Sequence, residues 1–140
     1  RKIKESGLSD SFEIMHEFEG EAMHDFYKQV SMISVPVRNG EAFGMYLLES
    51  MVSGVPVVQP ALGAFPEIAK TAGGGSIYSP NKPEELSNAW AELLNNPKKL
   101  EKLSHDGYEG TKEKFNIHNH AKELITLYES LRYPERSQSS

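Results

Sequence analysis

Two short runs rich in β-branched residues, separated by one helical segment, constrain the fold of this chain more than any other feature. The runs are "VSMISVPV" at 30–37 and "VPVVQ" at 55–59. Short runs that are apolar almost throughout are typical of strands covered on both faces. The segment between them is predicted to form a helix over 42–53, and Gly54 suits a left-handed cap at its end. A strand, a helix and a strand with short connections predict a right-handed unit with two parallel strands.

The same alternation continues on both sides of this unit. Before it, "FEIM" at 12–15 suits a strand and 19–29 has the spacing of a helix. After it, Pro66 suits the first turn of a short helix that ends near the glycines at 73–75. A brief strand, "SIY" at 76–78, follows. The chain therefore predicts four strands that alternate with helices.

The C-terminal part of the chain is predicted to be helical, over 82–96, 97–114 and 118–131. The first and last of these helices carry apolar residues at helical spacing: Leu86, Ala89, Trp90, Leu93 and Leu94 in the first, and Ala121, Leu124, Ile125, Tyr128 and Leu131 in the last. Together with the alternating strands, this order predicts an α/β fold, a Rossmann-like parallel sheet with flanking helices.

Composition narrows the classes of function. The 140 residues suit one domain, with 38% apolar and 25% charged residues. The net charge of −5 and the dispersed Lys and Arg residues argue against a nucleic-acid partner. No run reaches the roughly 18 apolar residues that a transmembrane helix needs. The absence of cysteine excludes disulfides, thiolate metal sites and a cysteine nucleophile. "RKIKESGLSD" is typical of the end of a helix, with Gly7 as its stop, so we expect a fragment of a longer protein.

Two glutamates, Glu41 and Glu49, belong to the otherwise apolar segment at 39–59. Eight helical residues correspond to about 12 Å of rise and roughly 80° of rotation, so both could line one edge of a cleft. Glu41 is expected in the first turn, at the carboxyl rim of the sheet, where backbone N–H groups favour anions. Gly44 would let a ligand approach the backbone. This mixture suits a sugar joined to a nucleotide. The alternative is a first-turn Glu favoured by the helix dipole and a Glu49 that faces solvent.

The stretch "GEAFGMYLLESMVSGVPVV" at 40–58 resembles the E-x7-E signature of retaining glycosyltransferases of family 4, usually E-G-F-G-x-x-x-x-E-A-M-A-x-G-x-P-V-V. The matching residues are Glu41, Phe43, Gly44, Glu49, Met51, Gly54, Pro56, Val57 and Val58. Ala42 replaces the usual Gly and Ser50 the usual Ala. "LGAFPEI" and "GGGSIYSPNKPEELSNAW" downstream, and "IMHEFEGEAMHDFYKQVSMISVPV" upstream, resemble further segments of the family. The resemblance covers about residues 8 to 131.

The resemblance implies the C-terminal, donor-binding domain of a GT-B enzyme over 1–133, truncated at its N-terminus, followed by a polar tail over 134–140. It implies that Glu41 is the catalytic residue and binds the donor sugar, while Glu49 binds the ribose. The implied donor-binding set, which includes backbone contacts to the sugar and diphosphate, is Glu41, Phe43, Gly44, Met45, Glu49, Phe18 and Gly63. Phe18 would lie beside the nucleobase, with a core anchor as the alternative role.

The implied reaction is transfer of a hexosyl group from a UDP-, GDP- or ADP-sugar to a glycan, lipid or small-molecule acceptor, with retention of configuration. The acceptor would attack from the face that the nucleoside diphosphate leaves, and the donor phosphate would help to take its proton. The implied partner is an N-terminal acceptor-binding domain, without which this part is expected to be inactive. No cofactor and no metal are expected. The expected location is cytoplasmic, with peripheral contact to the inner membrane through that domain.

The chain departs from the family pattern at two places. His16 replaces a usual Gly, which is read either as a differently shaped base pocket or as a turn histidine without a catalytic role. The basic pair that grips the diphosphate in the family is expected upstream of Arg1. Arg38, on the expected rim, suits either a phosphate contact or a solvated loop.

Other functional classes lack their motifs. Asp occurs only at 10, 25 and 106, so there is no D-x-D metal clamp. The histidines of "HNH" at 118–120 would point about 200° apart on a helix and could not share an ion. No serine has a G-x-S-x-G context, and "GGG" at 73–75 is read as a helix stop. The remaining alternatives are an epimerase or phosphorylase relative, which the E-x7-E pattern disfavours, and a noncatalytic nucleotide-binding or interaction module with a flavodoxin-like sheet.

Overall fold

Helices alternate with the strands of a small parallel sheet in the computed structural model, which describes residues 5–15 and 20–132. A 3-10 turn at Ser9–Ser11 comes first. The elements that follow are α1 (Gly20–Gln29), α2 (Met45–Val52), β1 (Val57–Pro60), α3 (Phe65–Ala72), β2 (Gly75–Tyr78), α4 (Pro83–Leu94), α5 (Pro97–Lys114) and α6 (Ile117–Arg132). The predicted fold class, α/β with a parallel sheet and flanking helices, is confirmed.

The sheet is covered by helices on both faces. Strands β1 and β2 run parallel, with Val57 opposite Gly75 and Pro60 opposite Tyr78. All of β1 is buried, and its successive side chains enter opposite cores. One core, under α2 and α3, contains Leu47, Leu48, Met51, Val57, Phe65, Ile68 and Ala72. The other, under α4, contains Val58, Tyr78, Leu86, Ala89 and Leu93.

The predicted strand at 30–37 is reduced to one bridge, at Ile33. The Ile33 N–H donates to the Pro56 carbonyl at 2.9 Å, and the Ile33 carbonyl accepts from Val58 N–H at 2.8 Å. Toward the N-terminus, the next hydrogen bond of this parallel ladder would need an N–H from Pro56, and proline has none. Toward the C-terminus, the Val58 carbonyl accepts from the Ser34 hydroxyl at 2.6 Å instead. The pairing therefore ends on both sides of Ile33, although the segment lies beside β1 as predicted.

The predicted strand at 12–15 is wrong, because no described segment pairs with it. The C-terminal helices are observed within two residues of their predicted limits. The expected helix ends are also confirmed, since Gly54 and Gly73 adopt the left-handed conformation, with φ of 76° and 83°.

The apolar stripes of the C-terminal helices are only partly covered. Helix α4 buries Leu86, Ala89 and Leu93, but Trp90 is 41% exposed and Leu94 is 60% exposed. Helix α6 buries no residue, so its predicted stripe faces outward throughout the part of the chain that the structure describes. None of the described helices is both long enough and apolar enough to cross a membrane.

Candidate functional site

Helix α2 begins later than predicted, and this moves Glu41 off the helix. Gly44 has φ 84° and ψ 69°, a left-handed conformation that cannot continue a right-handed helix, and Met45 is the first helical residue. The prediction of a helix over 42–53 with Glu41 in its first turn is therefore wrong. Glu41 lies in the preceding loop, so the expected helical relation between Glu41 and Glu49 does not hold.

The backbone of Glu41 is held by the loop that leads into α3. The Ala64 N–H donates to the Glu41 carbonyl at 3.2 Å. Gly63, with φ 54°, lies so close that a Cβ there would be 2.4 Å from the Glu41 carbonyl oxygen. Gly40 meets the same loop, since a Cβ on Gly40 would be 2.8 Å from Gly63 N. Gly63, predicted as a donor-binding residue, thus packs directly on the backbone of Glu41.

The side chain of Glu41 is held by Tyr46. The Tyr46 hydroxyl donates to Glu41 Oε2 at 2.9 Å, in a partly buried position. Burial first, then this hydrogen bond and the carboxylate charge, raise the pKa of Tyr46 well above its ordinary value. Tyr46 was not predicted as a site residue. The signal that could have identified Tyr46 is its hydroxyl, a polar group within an otherwise apolar helix. Helical spacing alone does not predict that this hydroxyl contacts a loop.

Glu49 lies on α2 in a different environment. It lines a cleft of about 530 Å³, here called the first cleft, between α2 and the junction of α5 with α6. The first cleft is lined by Met45, Leu48, Glu49, Val52, Thr111, Lys112, Phe115, Asn116, Ile117 and His118. The Glu49 carboxylate is partly exposed and makes no hydrogen bond or ion pair within the described residues. The pKa of Tyr27 is raised above its ordinary value, chiefly because Tyr27 is buried and in addition because of the negative charge of Glu49.

Of the other predicted site residues on this segment, Met45 and Phe43 line different clefts and Gly44 lines neither. Met45, 59% exposed, shares the first cleft with Glu49. Phe43, 43% exposed, lines a second cleft of about 290 Å³ beside α3, with Lys114 and His120. Gly44 is buried, and a Cβ there would lie 3.4 Å from the Phe65 ring.

The remaining predicted residues lie outside these two clefts or outside the described residues. Phe18 and His16 lie outside the described residues. Arg38 is exposed and borders a third cleft, of about 350 Å³, with Lys82 and Tyr78. Within 5–15 and 20–132, no group of three or more His, Cys, Asp or Glu residues could hold a metal ion.

Comparison with known proteins identifies a matching family and a related protein sequence. The model of the family "Glycosyl transferases group 1" matches residues 1–110. The lipopolysaccharide core biosynthesis mannosyltransferase LpsB of Rhizobium meliloti is 31% identical over 133 residues, which is 93% of this chain and 37% of that protein.

Solved structures agree on the fold. Sucrose-phosphate synthase from Thermosynechococcus elongatus superimposes with a TM-score of 0.79 at 25% identity, over 93% of this chain and 32% of that one. Anabaena HepE, solved in complex with UDP, has a TM-score of 0.67 at 18% identity, over 75% of this chain and 29% of that one. The chain thus spans about a third of the length of these relatives and shares the fold of GT-B glycosyltransferases.

Proposed function

Because the chain belongs to the group 1 glycosyl transferases, we propose that it is the C-terminal, donor-binding domain of a retaining glycosyltransferase of family 4. Within the whole protein it would bind a nucleotide-sugar, and an N-terminal domain would bind the acceptor. The proposed reaction transfers a hexosyl group to that acceptor with retention of configuration. The proposed location of the whole protein is cytoplasmic, with contact to the inner membrane through the acceptor domain.

The observation that carries this proposal is the pair of carboxylates with the signature spacing, Glu41 and Glu49. Glu41 has a fixed carboxylate in the loop before α2, which suits a hydroxyl of the donor sugar. Glu49 has a carboxylate without a hydrogen-bonding partner among the described residues and borders a mainly apolar cleft, which suits the ribose hydroxyls beside a flat nucleobase. Two carboxylates held in such different ways can serve different parts of one ligand.

The remaining roles follow from the positions of the loops. The backbone of Phe43, Gly44 and Met45 leads directly into α2, where the first N–H groups of the helix favour the diphosphate. Gly63 contributes by supporting the Glu41 loop. Phe18 is proposed to lie beside the nucleobase. In this proposal the domain lowers the barrier by positioning the donor and stabilising the charge of the leaving group, without a metal.

Calorimetric titration of this chain with UDP, GDP and ADP, and with the nucleotide-sugars UDP-glucose, GDP-mannose and ADP-glucose, tests the proposal. We expect one nucleoside diphosphate to bind, and Glu49→Ala to weaken it by roughly 10- to 100-fold, because hydrogen bonds to a charged group are lost. Glu101→Ala, an exposed glutamate of α5 outside the three clefts, is the matched control and should bind as the unaltered chain does.

Each outcome bears on a different part of the proposal. If none of the three nucleotides binds, the donor-domain assignment fails. If Glu49→Ala binds as tightly as the control, the ribose role of Glu49 is wrong. A nucleoside diphosphate that binds with no gain from an attached sugar would instead favour a noncatalytic nucleotide-binding module.

A further inference from the structure

Tyr46 joins the first turn of α2 to the loop that carries Glu41. Its hydroxyl donates to Glu41 Oε2 at 2.9 Å, and its ring lies against Gly44, where a Cβ would be 3.5 Å from Tyr46 Cε1. Gly44 therefore leaves room for the ring, and its left-handed backbone turns the loop back over the start of the helix. This arrangement brings a residue of the helix into contact with one that precedes it by five positions.

Glu41 is held at both its backbone and its side chain. Its carbonyl accepts from Ala64 N–H, and Gly63 packs against its backbone. A glutamate side chain has three rotatable bonds, and a loop glutamate normally samples several rotamers. The hydrogen bond from the Tyr46 hydroxyl to Glu41 Oε2, at 2.9 Å, favours the Glu41 rotamers that allow it. The other carboxylate oxygen, Glu41 Oε1, takes no part in this bond.

We propose that Tyr46 is a positioning residue that sets the direction of the Glu41 carboxylate, so that Glu41 Oε1 accepts a hydrogen bond from one hydroxyl of the donor sugar. This inference rests on the proposed donor-binding function and deepens it. It assigns a role to a residue outside the signature, whose position is unspecified in E-G-F-G-x-x-x-x-E. A sugar hydroxyl then meets an acceptor that is already oriented, so less conformational entropy is lost on binding.

The protonation state of Tyr46 supports this role. A tyrosine with its ordinary pKa keeps its proton at neutral pH, and burial, together with the hydrogen bond to Glu41, raises the pKa of Tyr46 further. A protonated phenol donates to the carboxylate and does not compete with it for a proton from the ligand.

The first test needs no ligand. Three-bond couplings between Hα and Hβ of Glu41, measured by NMR in this chain, should report one preferred χ1 rotamer. In Tyr46→Phe, which keeps the ring, they should move toward averaged values because the hydroxyl no longer holds the carboxylate. Tyr108→Phe, which removes an exposed hydroxyl that contacts Lys112, is the control and should leave the Glu41 couplings unchanged. Identical Glu41 couplings in all three proteins overturn the proposal.

The second test separates the sugar from the nucleotide. UDP-glucose, GDP-mannose and ADP-glucose are titrated beside UDP, GDP and ADP into the chain and into Tyr46→Phe. We expect Tyr46→Phe to bind the nucleotide-sugar about three- to tenfold more weakly and the matching nucleoside diphosphate as before. Glu41→Gln should reduce the effect of Tyr46→Phe when the two changes are combined, because a positioning residue acts through its partner.

The outcomes distinguish this inference from the function it rests on. If nucleotide-sugar and nucleotide weaken equally, or if the effects of Glu41→Gln and Tyr46→Phe simply add, Tyr46 does not act through Glu41 and the proposal fails. If nothing binds to the unaltered chain, the proposed function fails and the sugar contact fails with it. The rotamer measurement then still decides whether Tyr46 holds Glu41.

Discussion

Glu41 precedes the first residue of α2 and Glu49 follows it, and the surroundings of their two carboxylates differ. Glu41 is fixed by Tyr46 at its side chain and by Gly63 and Ala64 at its backbone. Glu49 borders an open cleft and has no hydrogen-bonding partner for its carboxylate within the described residues. In the proposed site, Glu41 would therefore form a rigid half that sets geometry, and Glu49 a half that adjusts to the ligand.

The largest expected effect is at the fixed end, from Gly63→Ala. A Cβ at Gly63 would be 2.4 Å from the Glu41 carbonyl oxygen, on a backbone with φ 54°. We expect the free energy of unfolding in urea to fall by about 2–3 kcal/mol from strain and displacement of the loop.

Gly54→Ala is the matched control for this change. Gly54 also has a positive φ, 76°, but its Cβ would meet only Ser104 Oγ, at an ordinary 3.6 Å. It should therefore cost only the backbone strain, about 1 kcal/mol. Equal losses for Gly63→Ala and Gly54→Ala would show that the two loops are not pressed together at Gly63.

A smaller loss is expected from Tyr46→Phe. This change removes one partly buried hydrogen bond to a carboxylate and keeps the ring, so we expect a loss of about 1 kcal/mol in the free energy of unfolding. Tyr108→Phe should change it by less than about 0.5 kcal/mol, since its hydroxyl is on an exposed helix face. A Tyr46→Phe protein as stable as the Tyr108→Phe control contradicts a fixed Glu41.

Almost no effect on stability is expected from Glu49→Gln. The Glu49 carboxylate has no hydrogen bond or ion pair to lose among the described residues, so the free energy of unfolding should stay within about 0.5 kcal/mol. Denaturant unfolding of this variant beside Glu41→Gln, which weakens the Tyr46 contact, compares the two carboxylates directly. A clearly destabilised Glu49→Gln would mean that Glu49 is held as firmly as Glu41.

The smallest expected effect is on the pH dependence of stability. The pKa of Tyr46 is raised in the folded chain, so its contribution is fully present below the ordinary value of 10.0 and is lost as the pH rises above it. The stability difference between the unaltered chain and Tyr46→Phe should therefore shrink above pH 10. Urea unfolding from pH 8 to 11 measures this, and a difference that grows over that range has the wrong sign for a hydrogen-bonded, protonated Tyr46.

The parts that could be predicted from the sequence depend on local signals. Pro83 and the spacing of Leu86, Ala89 and Leu93 predicted α4, and Gly54 and Gly73 predicted two helix ends. These signals act within a few residues, where capping and periodicity decide the structure. The short strands followed from β-branched composition, although Pro56 restricts pairing at Ile33 in a way that became clear only once the register was known.

The parts that could not be predicted depend on contacts between loops. The signature spacing identified Glu41 and Glu49, but it did not reveal that Gly44 turns the backbone and leaves Glu41 outside the helix. Tyr46 was missed for the same reason, since its partner lies across that turn. The exposed apolar stripe of α6 shows another limit of sequence-based prediction. The spacing of apolar residues predicts an apolar helix face, but it does not predict what covers that face.

The most direct test of the central claim follows the carboxyl carbons of Glu41 and Glu49 by NMR as this chain is titrated, first with a nucleoside diphosphate and then with the corresponding nucleotide-sugar. The claim is that the two carboxylates serve different parts of one ligand. We predict that the Glu49 signal moves with both ligands and the Glu41 signal only with the nucleotide-sugar. A Glu41 signal that moves equally with both, or a Glu49 signal that moves with neither, would contradict it.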